Sequence, residues 1–297
     1  MRVLLGTGVV LAFLLNSGLA LAEDRVIYGT DDRKDLFDPA NDAALVTLAK
    51  STAILVKDSE LIRNPSFPNE IGLSTRTLKD VLGVCSTERF ANQPSPGFCS
   101  GFLVGADTFV TAGHCIKSAS DCAATAIVFD FGYDAEGKSL ATVSKNSVYK
   151  CASVVSRELQ SGRGRDYAVL KLDRPVEGRE PVVVRKNGSA SENDSIAVIG
   201  HPSGLPTKIS DNAKVRSNSD KLPYLVANLD TYQGNSGSAV FNSLTGEVEG
   251  ILVRGETDFD YDSAGSCRKS KVCLEDGCRG EDVTKSSVFA SFLPTVD

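Results

Sequence analysis

Apolar residues in this chain fall into short runs broken by turn signals, not into long helical stripes. The runs at 101–104, 108–111, 126–131, 167–172, 195–199, 238–241 and 248–253 are rich in β-branched and aromatic residues, which marks them as strands. Gly105-Ala106-Asp107, Asp173-Arg174-Pro175, Asn187-Gly188 and Thr245-Gly246 supply turns between them. Many short strands at such spacing predict a barrel or a sandwich. Upstream, one more strand is predicted over 52–56, inside a largely apolar stretch at 43–56. The spacing of Leu78, Val81, Leu82 and Phe90 predicts a helix over 74–94, with Thr77 as its cap and Pro94 and Pro96 past its end. Residues 256–297 are polar and cysteine-bearing, with a modest apolar end at 288–293.

The apolar stretch at the start has a different character. Arg2 gives a positive beginning, 9–15 an apolar run, and Ala20-Leu21-Ala22 a small-x-small site, so 1–22 reads as a signal peptide. The run is too short for a comfortable membrane span. The mature chain is therefore expected outside the cytoplasm, secreted or periplasmic, with no membrane partner once the signal is removed. A net charge of −6 without long runs of one sign argues against a nucleic-acid partner. Export also changes the meaning of the 8 cysteines, since an even count in an oxidising compartment points to disulfides. Cys267, Cys273 and Cys278 cluster, but they offer three ligands with no histidine nearby, whereas a structural zinc wants four. No metal and no cofactor is expected.

Candidate chemistry starts from the histidines, of which there are 2. Hydrolysis of an amide at neutral pH needs a nucleophile, a base for its proton, and donors for the oxyanion. His114 follows a predicted strand in Thr111-Ala112-Gly113-His114-Cys115, whereas His201 sits in a predicted turn, Gly200-His201-Pro202. Ser236 lies in Gly234-Asn235-Ser236-Gly237-Ser238, where the flanking glycines allow a tight turn. The N–H groups of Gly234 and Ser236 could there converge as an oxyanion hole. Asp166 opens a strand at 166–172 and can orient a histidine from another segment, while Asp173 fits a turn role. Each signal is weak alone, but the order His, Asp, Ser strengthens all three.

With those residues in place the chain resembles the trypsin-like (chymotrypsin-fold) serine proteases. The resemblance rests on Cys99-Ser100-Gly101-Phe102-Leu103-Val104, the His114 segment, the Asp166 strand, and Asp230-Thr231-Tyr232-Gln233-Gly234-Asn235-Ser236-Gly237-Ser238. The last is most similar to the bacterial glutamyl-endopeptidase (V8-like) branch, as is Gly200-His201-Pro202. The resemblance implies an all-β fold of two six-stranded antiparallel barrels, with an extra N-terminal segment and a cysteine-rich C-terminal tail. It places a short pro-segment at 23–25 and a protease domain at 26–297, made of an N-terminal segment 26–97, a first barrel at about 98–165, a second at about 166–255, and an extension at 256–297. It implies a secreted serine endopeptidase acting on protein or peptide substrates, with His114, Asp166 and Ser236 as the triad. A catalytically inactive binding protein and an esterase on the same site are the alternatives. Substrate contacts are expected at Asp230, Thr231, Leu252 and Arg254. Asp230 stands six residues before Ser236, where trypsins bind basic side chains. Leu252 stands where glutamyl endopeptidases keep a histidine, and Arg254 could meet an acidic side chain. Arg25-Val26-Ile27-Tyr28-Gly29 looks like an activation junction, although Asn235 replaces the aspartate that pairs with the new terminus in animal trypsins. Cys99 with Cys115, and Cys122 with Cys151, are the expected disulfides. The partners of Cys85, Cys267, Cys273 and Cys278 stay open, as does the oligomeric state.

Overall fold

The computed structural model describes residues 26–136 and 142–294. The expected signal peptide at 1–22 and the pro-segment at 23–25 lie outside the described residues. The chain is built mainly of β-strands, twelve of which make two barrels of six.

The first barrel uses β1 (Thr52–Lys57), β2 (Cys99–Leu103), β3 (Thr108–Thr111), β4 (Thr125–Val128), β5 (Val148–Leu159) and β6 (Asp166–Leu172), closed in the order β5-β6-β3-β2-β1-β4. The second uses β7 (Ser195–Gly200), β8 (Lys208–Asn218), β9 (Tyr224–Ala227), β10 (Ala239–Asn242), β11 (Val248–Arg254) and β12 (Glu281–Lys285). Its order is β7-β10-β11-β12-β9-β8, and pairing of β7 with β8 closes the ring. Two short helices, α1 (Ala43–Ala49) and α2 (Leu78–Leu82), precede β2, and α3 (Ala119–Ala123) precedes β4. One apolar cluster runs from Phe109, Val110 and Leu170 of the first barrel to Ile199, Phe241 and Ile251 of the second, so the barrels share a core.

The architecture is the one expected, but the barrel boundaries differ. The first barrel takes β1 from the N-terminal segment and also owns the strand that begins at Asp166, while the second takes its last strand from the tail. Strand β12 was invisible to the hydrophobic pattern because Glu281, Asp282, Thr284 and Lys285 are polar and yet buried. Strand β5 escaped notice because its outer face is exposed over most of its length. The helix expected over 74–94 is only α2. Thr77 and Asp80 form a reciprocal cap, Thr77 Oγ1 taking the Asp80 N–H at 3.2 Å and the Asp80 carboxylate taking the Thr77 N–H at 3.0 Å. Gly83 then ends the helix in the left-handed conformation, φ 66°.

All eight cysteines are bonded: Cys99–Cys115, Cys122–Cys151, Cys85–Cys267 and Cys273–Cys278. The last two account for the cysteines left unassigned, and they leave no thiolate for a zinc site. Among the described residues, no helix is long and apolar enough to cross a membrane.

Candidate active site

Antiparallel register brings the histidine to the aspartate. Strand β6 pairs with β3 so that Ala168 faces Thr111. Two residues before Ala168 is Asp166, and two past Thr111 the chain turns through Gly113 into His114. Gly113 has no room for a side chain: a Cβ there would lie 2.2 Å from the Glu158 carbonyl oxygen and 3.1 Å from Asp166 Oδ1. The close approach lets Asp166 hold His114 twice. Its Oδ2 lies 2.8 Å from His114 Nδ1, and its Oδ1 accepts the His114 backbone N–H at 3.1 Å. Asp166 is fully buried. Burial works to raise its pKa, but the His114 hydrogen bond and the charges of His114 and Arg254 outweigh it and leave the carboxyl below its usual range. An ionised Asp166 accepts only, so Nδ1 carries the proton and Nε2 is left basic.

Ser236 arrives from the second barrel, in the turn before β10. The Gly237 N–H donates to Leu252 O at 2.8 Å and the Leu252 N–H to Ser238 O at 3.0 Å, which fixes the turn to β11. From the first barrel, the Ser100 N–H donates to Ser236 O at 2.8 Å. Gly234 has φ +94°, and a Cβ there would sit 2.7 Å from the Gly204 backbone nitrogen, so only glycine fits. A cavity of about 350 Å³ is lined by His114, Gly234 and Ser236, with Phe98 and the Cys99–Cys115 disulfide in its wall. A histidine oriented by a carboxylate, in a cavity that also holds a serine, is an arrangement suited to acyl transfer.

The remaining expected residues lie elsewhere. Asp230 is buried, and its two oxygens accept backbone N–H groups of the N-terminal segment, Tyr28 at 2.6 Å and Asp32 at 2.9 Å. Burial and the neighbouring Asp32 carboxylate push its pKa upward. Thr231 Oγ1 donates to the buried Glu281 at 3.0 Å. Leu252 is part of the second barrel's core. Arg254 donates to Gly164 O at 2.6 Å and pairs with Asp282 at 3.5 Å. None of these four side chains lines the cavity that holds Ser236. His201 is also apart: it is buried, stacked on Phe131, with Nδ1 2.9 Å from Leu205 O. Burial brings its pKa down to about 3, so it stays neutral.

Sequence reasoning missed two supports of the site. Gly113 stands inside the His114 motif, where its lack of a side chain is a sign of close packing. Ser100 gave no signal of its own. The cysteines nearest His114 are bonded to each other and its Nδ1 is held by Asp166, so that group of potential metal donors lacks thiolates.

Comparison with known proteins gives a consistent result. The chain is 30% identical over 164 residues to a protein of Bacillus subtilis named "Extracellular metalloprotease", covering 52% of this chain and 49% of that one. It is 27% identical over 191 residues to an uncharacterized protein of Sinorhizobium fredii, covering 58% of this chain and 28% of the other. The chain thus spans half or less of the curated relatives it matches. Among solved structures, the Vibrio cholerae VesB protease shares the fold with a TM-score of 0.53 at 15% identity, over 90% of this chain and 66% of that one. Residues 99–251 match the model of the trypsin-like peptidase domain. With more than half of its length inside that match, the chain belongs to the trypsin-like peptidase domain family.

Proposed function

We propose that this protein is a secreted serine endopeptidase whose triad is His114, Asp166 and Ser236. The observation that carries the reading is the double hold of Asp166 on His114, at the rim of the cavity that also contains Ser236. His114 Nε2 takes the proton of Ser236 Oγ as the oxygen attacks the scissile carbonyl. The resulting oxyanion is met by the N–H groups of Gly234 and Ser236. His114 then gives the proton to the leaving amine, and the acyl-enzyme remains. Water repeats the sequence, its proton going to His114 and then back to Ser236. The disulfides and the word "Extracellular" in a relative's name support export. A preference for basic side chains at Asp230 finds no support, because both of its oxygens are engaged by backbone.

The test is Ser236→Ala. Turnover of a peptide substrate is expected to fall by about 10⁶, and labelling by a fluorophosphonate probe to vanish, with the thermal transition unchanged. Retention of more than a few per cent of activity in a clean preparation overturns the assignment. The same probe separates an enzyme from an inactive binding protein, and matched peptide and ester substrates separate a peptidase from an esterase.

A further inference from the structure

We propose that Ser100 is a positioning residue whose side-chain hydroxyl holds the oxyanion loop in the orientation that turns its N–H donors toward the substrate. The inference rests on the peptidase reading above and concerns a residue outside the triad.

Ser100 lies on β2 of the first barrel and is fully buried. Its Oγ donates to Gly234 O at 2.8 Å and accepts the His201 backbone N–H at 2.9 Å. A backbone N–H can only donate and a carbonyl can only accept, so both partners dictate where the hydroxyl proton points. The Ser100 carbonyl is itself fixed by Thr111 Oγ1 at 2.7 Å. One residue of the first barrel therefore grips the nucleophile loop of the second at two carbonyls, Gly234 through its side chain and Ser236 through its backbone. Any residue but proline at 100 could make the backbone contact, but the other needs the hydroxyl.

Another carbonyl of the loop explains why this matters. Gln233 O accepts the N–H of Ser203, in the turn that begins at His201. In a trans peptide the C=O and the following N–H point in opposite directions. Holding Gln233 O on Ser203 turns the Gly234 N–H to the other side. Holding Gly234 O on Ser100 fixes the next peptide, and Gly234, at φ +94°, is the pivot between them. A glycine without a Cβ resists rotation of its flanking peptides poorly. The restraint comes from outside, and Ser100 joins both halves of it because its Oγ binds the loop and the His201 turn together. Preorganised donors are effective because they need no reorganisation when charge develops.

The experiment compares wild type with Ser100→Ala and Ser100→Thr, on a peptide p-nitroanilide selected by the wild-type enzyme from a library and on the boronic acid of the same peptide. Rates are referred to the folded fraction seen by near-ultraviolet circular dichroism. Since deleting a direct oxyanion donor costs about 10²–10³, the Ala variant is expected to lose about 10- to 100-fold in kcat, with KM changed less than about two-fold. Its boronate affinity is expected to fall by the same factor as kcat/KM, and the Thr variant, which keeps the hydroxyl, to recover most of the loss. An Ala variant with wild-type kcat, a change confined to KM, or equal losses in Ala and Thr overturns the proposal. If the wild type fails to cleave the anilide, or Ser236→Ala still cleaves it, the peptidase reading falls and this inference with it. A wild-type-like Ser100→Ala beside an active wild type sinks this inference alone.

Discussion

His114 gives its ring Nδ1 and its backbone N–H to the two oxygens of one aspartate, so the imidazole can neither rotate nor change tautomer without breaking a contact. Replacing Asp166 by Asn places an amide opposite Nδ1 and favours the wrong tautomer. Turnover at neutral pH is expected to fall about 10⁴-fold, and steady-state kinetics on a folded Asp166→Asn variant checks it. Asp173→Asn, at the far end of the same strand, is expected to leave turnover unchanged in that assay. His201 supplies a second prediction, about stability. Its folded pKa, about 3, lies below the ordinary 6.5, so the unfolded chain takes up a proton first as pH falls. Stability from this group is whole above pH 6.5 and is lost through the window down to about 3, by up to about 1.4 kcal/mol per pH unit. Urea unfolding of wild type and His201→Gln across that window should show a steeper acid loss in wild type; parallel curves contradict it. Asp230 acts with the opposite sign: its pKa is raised on folding, so its contribution is present below the ordinary carboxylate range and declines as pH rises. His114, Asp166 and Ser236 could be singled out because three motifs carry them in a fixed order. Ser100 could not, because a serine in a strand looks the same whether its hydroxyl is idle or committed.

At the scale of elements, strands filled with apolar residues announced themselves and strands filled with buried polar ones did not. β1, β3 and β6 are apolar runs shielded on both sides. β12 is equally buried but carries Asp282, which is paired with Arg163, Arg254 and Arg279. Two of those partners, Arg163 and Arg254, come from distant segments, so the sequence around 281–285 does not reveal the burial. The hairpin of β2 and β3 ends in the Cys99–Cys115 bridge, with the sulfurs 16 residues apart along the chain and one of them adjacent to His114. Replacing both cysteines by serine is expected to lower unfolding stability by about 3 kcal/mol, as measured in urea. The activity per folded molecule should fall as well, since the bond anchors the loop that carries the base. A double variant with wild-type stability would show that the crosslink does not constrain the unfolded chain.

Across the whole molecule, distant parts of the sequence complete each other. Ile27 and Tyr28 pair in parallel with Val272 and Cys273, Tyr28 and Asp32 occupy Asp230, and Cys85 is bonded to Cys267. β12 lies between β9 and β11, pairing with each. A chain ending at residue 280 therefore leaves two open strand edges in the second barrel. Such a truncated protein is expected to aggregate and to lose fluorophosphonate labelling, which gel filtration and the probe can score together. These long-range closures were the least legible part of the fold, because the hydrophobic pattern speaks only of neighbours. The late position of β12 also sets a timetable for synthesis. A ribosome finishes residues 99 to 242 before it reaches β12, and with them His114, Asp166, Ser236 and the loop around Ser236. The sheet that backs this loop stays unclosed until residue 285 has emerged. An unfinished chain thus carries His114, Asp166 and Ser236 without the wall that braces them, and their final arrangement is expected only once the last strand arrives.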